Sequence, residues 1–68
     1  MKKLREWLLK NNKRQADLAL LIGVHESAVS QWLNGHSRPT LDSLRKVSAV
    51  TGISIDDLAR DIPAENAA

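Results

Sequence analysis

Cysteine is absent from the 68 residues, so neither a disulfide framework nor a thiolate metal site can form. Phenylalanine and tyrosine are absent too, and Trp7 and Trp32 are the only aromatic rings. So few rings argue against a base-stacking surface for single-stranded nucleic acid. No apolar run reaches membrane-crossing length, and Met1-Lys2-Lys3 leads into an amphipathic pattern where a signal peptide would be continuously apolar. The histidines, His25 and His36, are not spaced i, i+4 and have no acidic cluster beside them. No metal or other cofactor is therefore expected. Ser27 or Ser30 could be grouped with a histidine and an aspartate as triad residue types, but nothing in the spacing orients them. A chain this short offers no substrate cleft, so neither catalysis nor a small-molecule substrate is expected. The three glycines, Gly23, Gly35 and Gly52, all fall at the ends of helical patterns and form no phosphate-binding loop.

What is present is a globular composition, 43% hydrophobic, in a length that allows one domain. A core this small must be used efficiently. The net charge of +2 hides an asymmetry. Up to Lys46 the bases are Lys2, Lys3, Arg5, Lys10, Lys13, Arg14, Arg38, Arg45 and Lys46, against Glu6, Asp17, Glu26 and Asp42. Beyond Lys46, Arg60 stands alone against Asp56, Asp57, Asp61 and Glu65. The basic part suits a polyanion; the alternative is an ordinary solvated surface.

Helical periodicity predicts an all-α fold of five helices and no strand. The first helix, over residues 2–11, aligns Leu4, Trp7 and Leu8 and leaves lysine and arginine outside. The second runs over 15–22 and stops at Gly23. The third starts at His25 or Glu26 and stops at Asn34-Gly35. After His36-Ser37-Arg38-Pro39, Thr40 caps a fourth helix whose inward stripe is Leu41, Leu44, Val47 and either Val50 or Ala49. Thr51-Gly52 ends it. Ser54 caps a fifth helix, with Asp56 and Asp57 near its positive end and Ile53, Ile55, Leu58 and Ile62 packing it. Pro63 closes that helix. The expected domain is 1–63, followed by a flexible tail over 64–68.

The informative stretch is Gln15 to Gly35, QADLALLIGVHESAVSQWLNG. Leu18, Ala19 and Ile22 make one apolar stripe, and Val29, Trp32 and Leu33 make another. Gly23 can take the positive φ that turns the chain sharply between them. Ala19 is small enough for a second helix to cross close by, and Val24 plugs the corner. This is the pattern of a helix-turn-helix, whose second helix enters the major groove of DNA. The outward face of that helix would carry Glu26, Ser27, Ser30 and Gln31, all hydrogen-bonding groups. Trp32, at its spacing from Val29, reads as core and not as a contact residue.

Several segments extend the pattern: Gln15 opening the second helix, Leu18-Ala19, Gly23-Val24, Val29-Ser30, Asn34-Gly35, Arg38-Pro39-Thr40-Leu41, and Gly52 through Leu58. Over about residues 3–62 the chain resembles the lambda-repressor/Cro-like helix-turn-helix family of bacterial and phage transcription regulators, in its all-helical form. The resemblance implies base contacts from Glu26, Ser27, Ser30 and Gln31. It implies backbone contacts from Gln15, Arg14, Asn34, His36 and Arg38. It further implies a Cro-like repressor on a palindromic operator, acting in a bacterial cytoplasm or a phage-infected host. Its partners would be double-stranded DNA and a second copy of the chain, in a weak dimer through Ile53, Ile55 and Leu58 that is completed on DNA. An antitoxin-type autorepressor and a protein-interaction module on the same fold are the alternatives.

Two departures from the family pattern stand out, at Glu26 and at Leu20-Leu21. Glu26 is acidic where glutamine is usual. It either accepts a hydrogen bond from cytosine N4 or serves as the negative charge at the start of its helix. Leu20 and Leu21 are apolar where polar residues are usual. They pack against the first helix or the tail, or they meet another chain.

Overall fold

A computed structural model describes residues 1–61. Ile62, Pro63 and the 64–68 tail, and the packing, stop and fraying expected of them, lie outside the described residues. Within them are five helices and no strand: α1 (Lys2–Lys10), α2 (Gln15–Ile22), α3 (Glu26–Leu33), α4 (Leu41–Thr51) and α5 (Ile55–Arg60). The sequence-expected helices all form, with boundaries within a residue or two of the periodicity.

The first three helices stop by one device. A residue with positive φ follows each, Asn12 (53°), Gly23 (74°) and Gly35 (76°), and lets the chain fold back on its own last carbonyls. After α1, Lys13 N–H donates to Leu8 O at 2.8 Å and Asn12 N–H to Leu9 O at 3.2 Å. After α2, Val24 N–H donates to Ala19 O at 2.9 Å and Gly23 N–H to Leu20 O at 3.4 Å. After α3, His36 N–H donates to Gln31 O at 2.9 Å and Gly35 N–H to Trp32 O at 3.3 Å. Asparagine tolerates the left-handed region better than other side chains, so the first stop needs no glycine. The starts are capped where the sequence supplies a short hydroxyl. Thr40 Oγ1 accepts from Ser43 N–H at 3.1 Å, and Ser54 Oγ accepts from Asp57 N–H at 3.1 Å. At α2 the carboxylate works alone: Asp17 Oδ2 accepts from Arg14 N–H at 2.9 Å, tying the helix to the residue before it.

Each helix sends its apolar stripe to one shared core. Leu4 and Leu8 come from α1, Leu18, Ala19 and Ile22 from α2, and Val29, Trp32 and Leu33 from α3. Leu44 and Val47 from α4 and Leu58 from α5 complete it, with Met1 beneath the start of α1. Trp7, Val24, Val50, Ile53 and Ile55 are partly buried around this centre. α2 packs most extensively against α3 and also against α4, α4 packs against α5, and α1 touches both α3 and α5. The α1–α5 contact is polar at its edge. Lys3 N–H donates to Asp61 Oδ2 at 2.7 Å, and Lys3 Nζ lies 3.4 Å from Asp57 Oδ1. The Lys3 ammonium, as hydrogen-bond donor and as charge, holds the Asp57 carboxyl below its ordinary range, with smaller help from the Ser54 hydroxyl and Arg60.

Three expectations are corrected. Leu41 does not belong to the inward stripe of α4; it is 56% exposed, because the stripe begins one turn later at Leu44. Leu20 and Leu21 are not enclosed by α1; the tail, the other surface expected to cover them, lies outside the described residues. They are 84% and 56% exposed, since the buried side of α2 is already filled by Leu18, Ala19 and Ile22. Leu58 is wholly enclosed by the chain's own core and has no surface left to offer a second copy. Of the two choices at the end of the α4 stripe, Val50 is the partly buried one and Ala49 is exposed.

Candidate nucleic-acid interface

α3 is built to present one face. Its residues Val29, Trp32 and Leu33 are buried, so the helix cannot rotate without exposing them. On the opposite side Ser27 and Gln31 are exposed; Glu26 is exposed because it opens the helix, one turn before Val29, and Ser30 is half-buried. The three-residue connection Gly23-Val24-His25 sets the approach of α3 to α2. Ala19, only 3% exposed, lends its carbonyl to Val24 and, having no bulk beyond Cβ, lets the two helices come close. His25 stands at the N-cap with extended backbone and makes no side-chain cap bond.

The side chains of Glu26, Ser27 and Gln31 have no hydrogen-bond or ion-pair partner among the described residues. Ser30 is different: its Oγ faces Asn34 Nδ2 at a long 3.4 Å, so both residues are partly engaged with each other. The residues expected to meet a backbone lie at the start of α2 and in the chain after α3. Arg14 and Asn34 are exposed, and Gln15 is half-buried at the first position of α2. His36 and Arg38 are exposed in the loop after α3, where buried Pro39 anchors the chain and leaves its neighbour outside.

The ion pairs among the described residues are Lys3–Asp57, Lys46–Asp42 and Arg60–Asp57. Lys10, Lys13, Arg14 and Arg38 take part in none of them. Their charge is therefore not neutralised within the described residues and is available to a polyanion. Lys10 and Lys13 carry no site signal in the sequence; Lys10 closes α1, and Lys13 precedes Arg14 in the turn leading to α2. Arg5 carries none either. Its guanidinium crosses to the end of α3, where Nη2 donates to Leu33 O at 3.2 Å. No sequence signal marks a contact over that separation.

There are no pockets in the described structure and no group of side chains there that could hold a metal ion. No helix among the described residues is long and apolar enough to cross a membrane. What the surface offers is a helix with a polar outer face, and cations that are in no ion pair among the described residues.

Two short helices joined by a tight glycine turn, the second presenting hydrogen-bonding side chains, define a DNA-binding helix-turn-helix unit. The helix-turn-helix family model matches residues 1–58, and the chain belongs to that family. Over 39 residues it is 44% identical to the "26 kDa repressor protein" of Escherichia phage HK022, a match that takes in 57% of this chain. The chain spans only 17% of that relative's length. No solved structure matches the chain.

Proposed function

We propose that this chain reads duplex DNA sequence by laying α3 in the major groove and represses transcription from a palindromic operator. The observation that carries the reading is the outer face of α3. Glu26, Ser27 and Gln31 are exposed and unpartnered on a helix whose opposite side is locked into the core. A groove about 12 Å wide admits such a helix, and its base edges present donors and acceptors for these side chains. Gln31 can bond adenine at two atoms, Ser27 and Ser30 can meet several bases, and the Glu26 carboxylate can accept from cytosine N4. Gln15, Arg14, Asn34, His36 and Arg38 serve as phosphate contacts, which set register and orientation without reading sequence. Repression is favoured by the likeness to a phage repressor, over the short stretch the two share.

One recognition helix covers few base pairs, and two copies on half-sites about one helical turn apart would supply the missing selectivity. Ile53 and Ile55, partly buried near α5, are the apolar residues we assign to that contact, without Leu58. So little free apolar area makes a weak dimer, completed on DNA. Sedimentation of the free protein followed by stoichiometric titration of DNA tests this; a tight free dimer, or saturation at one chain per operator, contradicts it.

A second reading, a protein-interaction module, rests on exposed Leu20 and Leu21. Binding to random-sequence duplex across a salt series, followed by selection of preferred sites from a random pool, separates the two. A regulator binds with an affinity that falls steeply with salt and enriches related sites. Absence of any duplex binding at low salt would leave the interaction module standing.

A further inference from the structure

α3 is only eight residues long, about 12 Å by the rise of an α-helix. Where its side chains meet a target therefore depends on how both of its ends are held. At the N-terminal end the mount is α2, through the Val24 bond to Ala19 O. At the C-terminal end four carbonyls fall beyond the reach of the helix's own amides. Three are closed by the chain that follows: Asn34 N–H donates to Ser30 O at 3.0 Å, His36 N–H to Gln31 O, and Gly35 N–H to Trp32 O. The fourth, Leu33 O, is met from α1 by Arg5 Nη2 at 3.2 Å. α3 has no basic residue in its own last turn, so this guanidinium is also the cation that its negative end otherwise lacks.

We propose that Arg5 is a positioning residue for DNA readout. It pins the last turn of α3 to α1 and so sets where Gln31, in that same turn, meets the base pair. Glu26 and Ser27, at the end held by α2, depend on it less. A lysine would keep the charge but not the planar fork that lets a guanidinium reach a carbonyl edge-on. The proposal rests on the reading of α3 as the base-reading helix.

The test uses the full chain, a duplex selected by the wild-type protein from a random pool, and an unselected random duplex, each over a salt series. Arg5→Met keeps most of the stem and removes donors and charge; Arg5→Lys keeps the charge. Arg5→Met is expected to lower the preference for the selected over the random duplex about tenfold, the size of losing one good base contact. Its salt slope should match wild type, and re-selection should relax the choice at the same base pair that Gln31→Ala relaxes. Arg5→Lys should recover only part of the preference. Equal losses on both duplexes with a shallower salt slope would make Arg5 a phosphate contact and overturn the proposal. A lowered melting temperature with unchanged preference would reduce it to a purely structural bond. Should Arg5→Met fail to fold, the Arg5→Lys comparison decides by the same criteria. If the wild-type chain itself selects no sequence, the base-reading assignment fails first, and that result is distinct from any effect of the variants.

Discussion

α2 and α3 are alike in length and ending and opposite in what they present. Each has eight residues, each stops at a glycine with positive φ, and each folds its following residue back onto its last turn. Both bury three side chains in the same core. Outward, α2 shows Leu20 and Leu21, while α3 shows Glu26, Ser27 and Gln31. The inward halves are alike because they answer to one core. The outward halves are free of that demand, and they differ in chemistry. A groove of base edges rewards directional hydrogen bonds, which α3 supplies and the leucines of α2 do not.

The comparison can be broken most severely from the inside. Trp32→Ala empties the largest buried side chain of α3 and is expected to cost about 3–5 kcal/mol, a large part of what so small a domain possesses. Urea and thermal melts measure it; a variant that melts normally yet loses DNA affinity would move Trp32 to the outer face. Gln31→Ala tests the outer face itself. It should cost about 1–3 kcal/mol on the preferred site and relax one base pair, with random duplex bound almost as before. Equal losses on both would make Gln31 a backbone contact.

Gly23→Ala tests the joint between the two helices. A Cβ there would meet nothing within 4 Å, so the penalty is conformational, from a φ of 74°. About 1–2 kcal/mol is expected in a melt, partly recovered by Gly23→Asn, as Asn12 illustrates after α1. Leu20→Gln should do least, shifting stability by no more than about 0.5 kcal/mol and leaving duplex affinity unchanged. A larger loss in the melt would mean that Leu20 is covered in solution.

Periodicity and stop signals were enough to read the five helices, the helix-turn-helix corner and nearly all of the core. These are local patterns, and a buried stripe repeats through each helix. The outer face of α3 is equally legible, because once Val29, Trp32 and Leu33 are inside, Ser27 and Gln31 must be out; Glu26 is out because it opens the helix. Leu41 was misread because the first turn of a helix can satisfy the spacing and still lie beyond the partner's edge. Leu58 was given two employments, core and dimer contact, and the core takes all of it. Contacts made at a distance left no trace: Arg5 on Leu33 O, Lys3 with Asp57 and Asp61, and Met1 beneath α1. Each pairs residues whose proximity is decided only when the helices assemble.

The most direct measurement replaces Glu26, Ser27 and Gln31 together with alanine and compares binding to the selected and to a random duplex. All three are exposed, so the fold and the core of α3 should survive, as circular dichroism and melting would record. The reading of α3 predicts that salt-dependent binding to random duplex persists, carried by the unpaired cations, while preference for the selected site collapses to near unity. A triple variant that stays folded and keeps its preference would contradict the assignment of α3 as the helix that reads DNA.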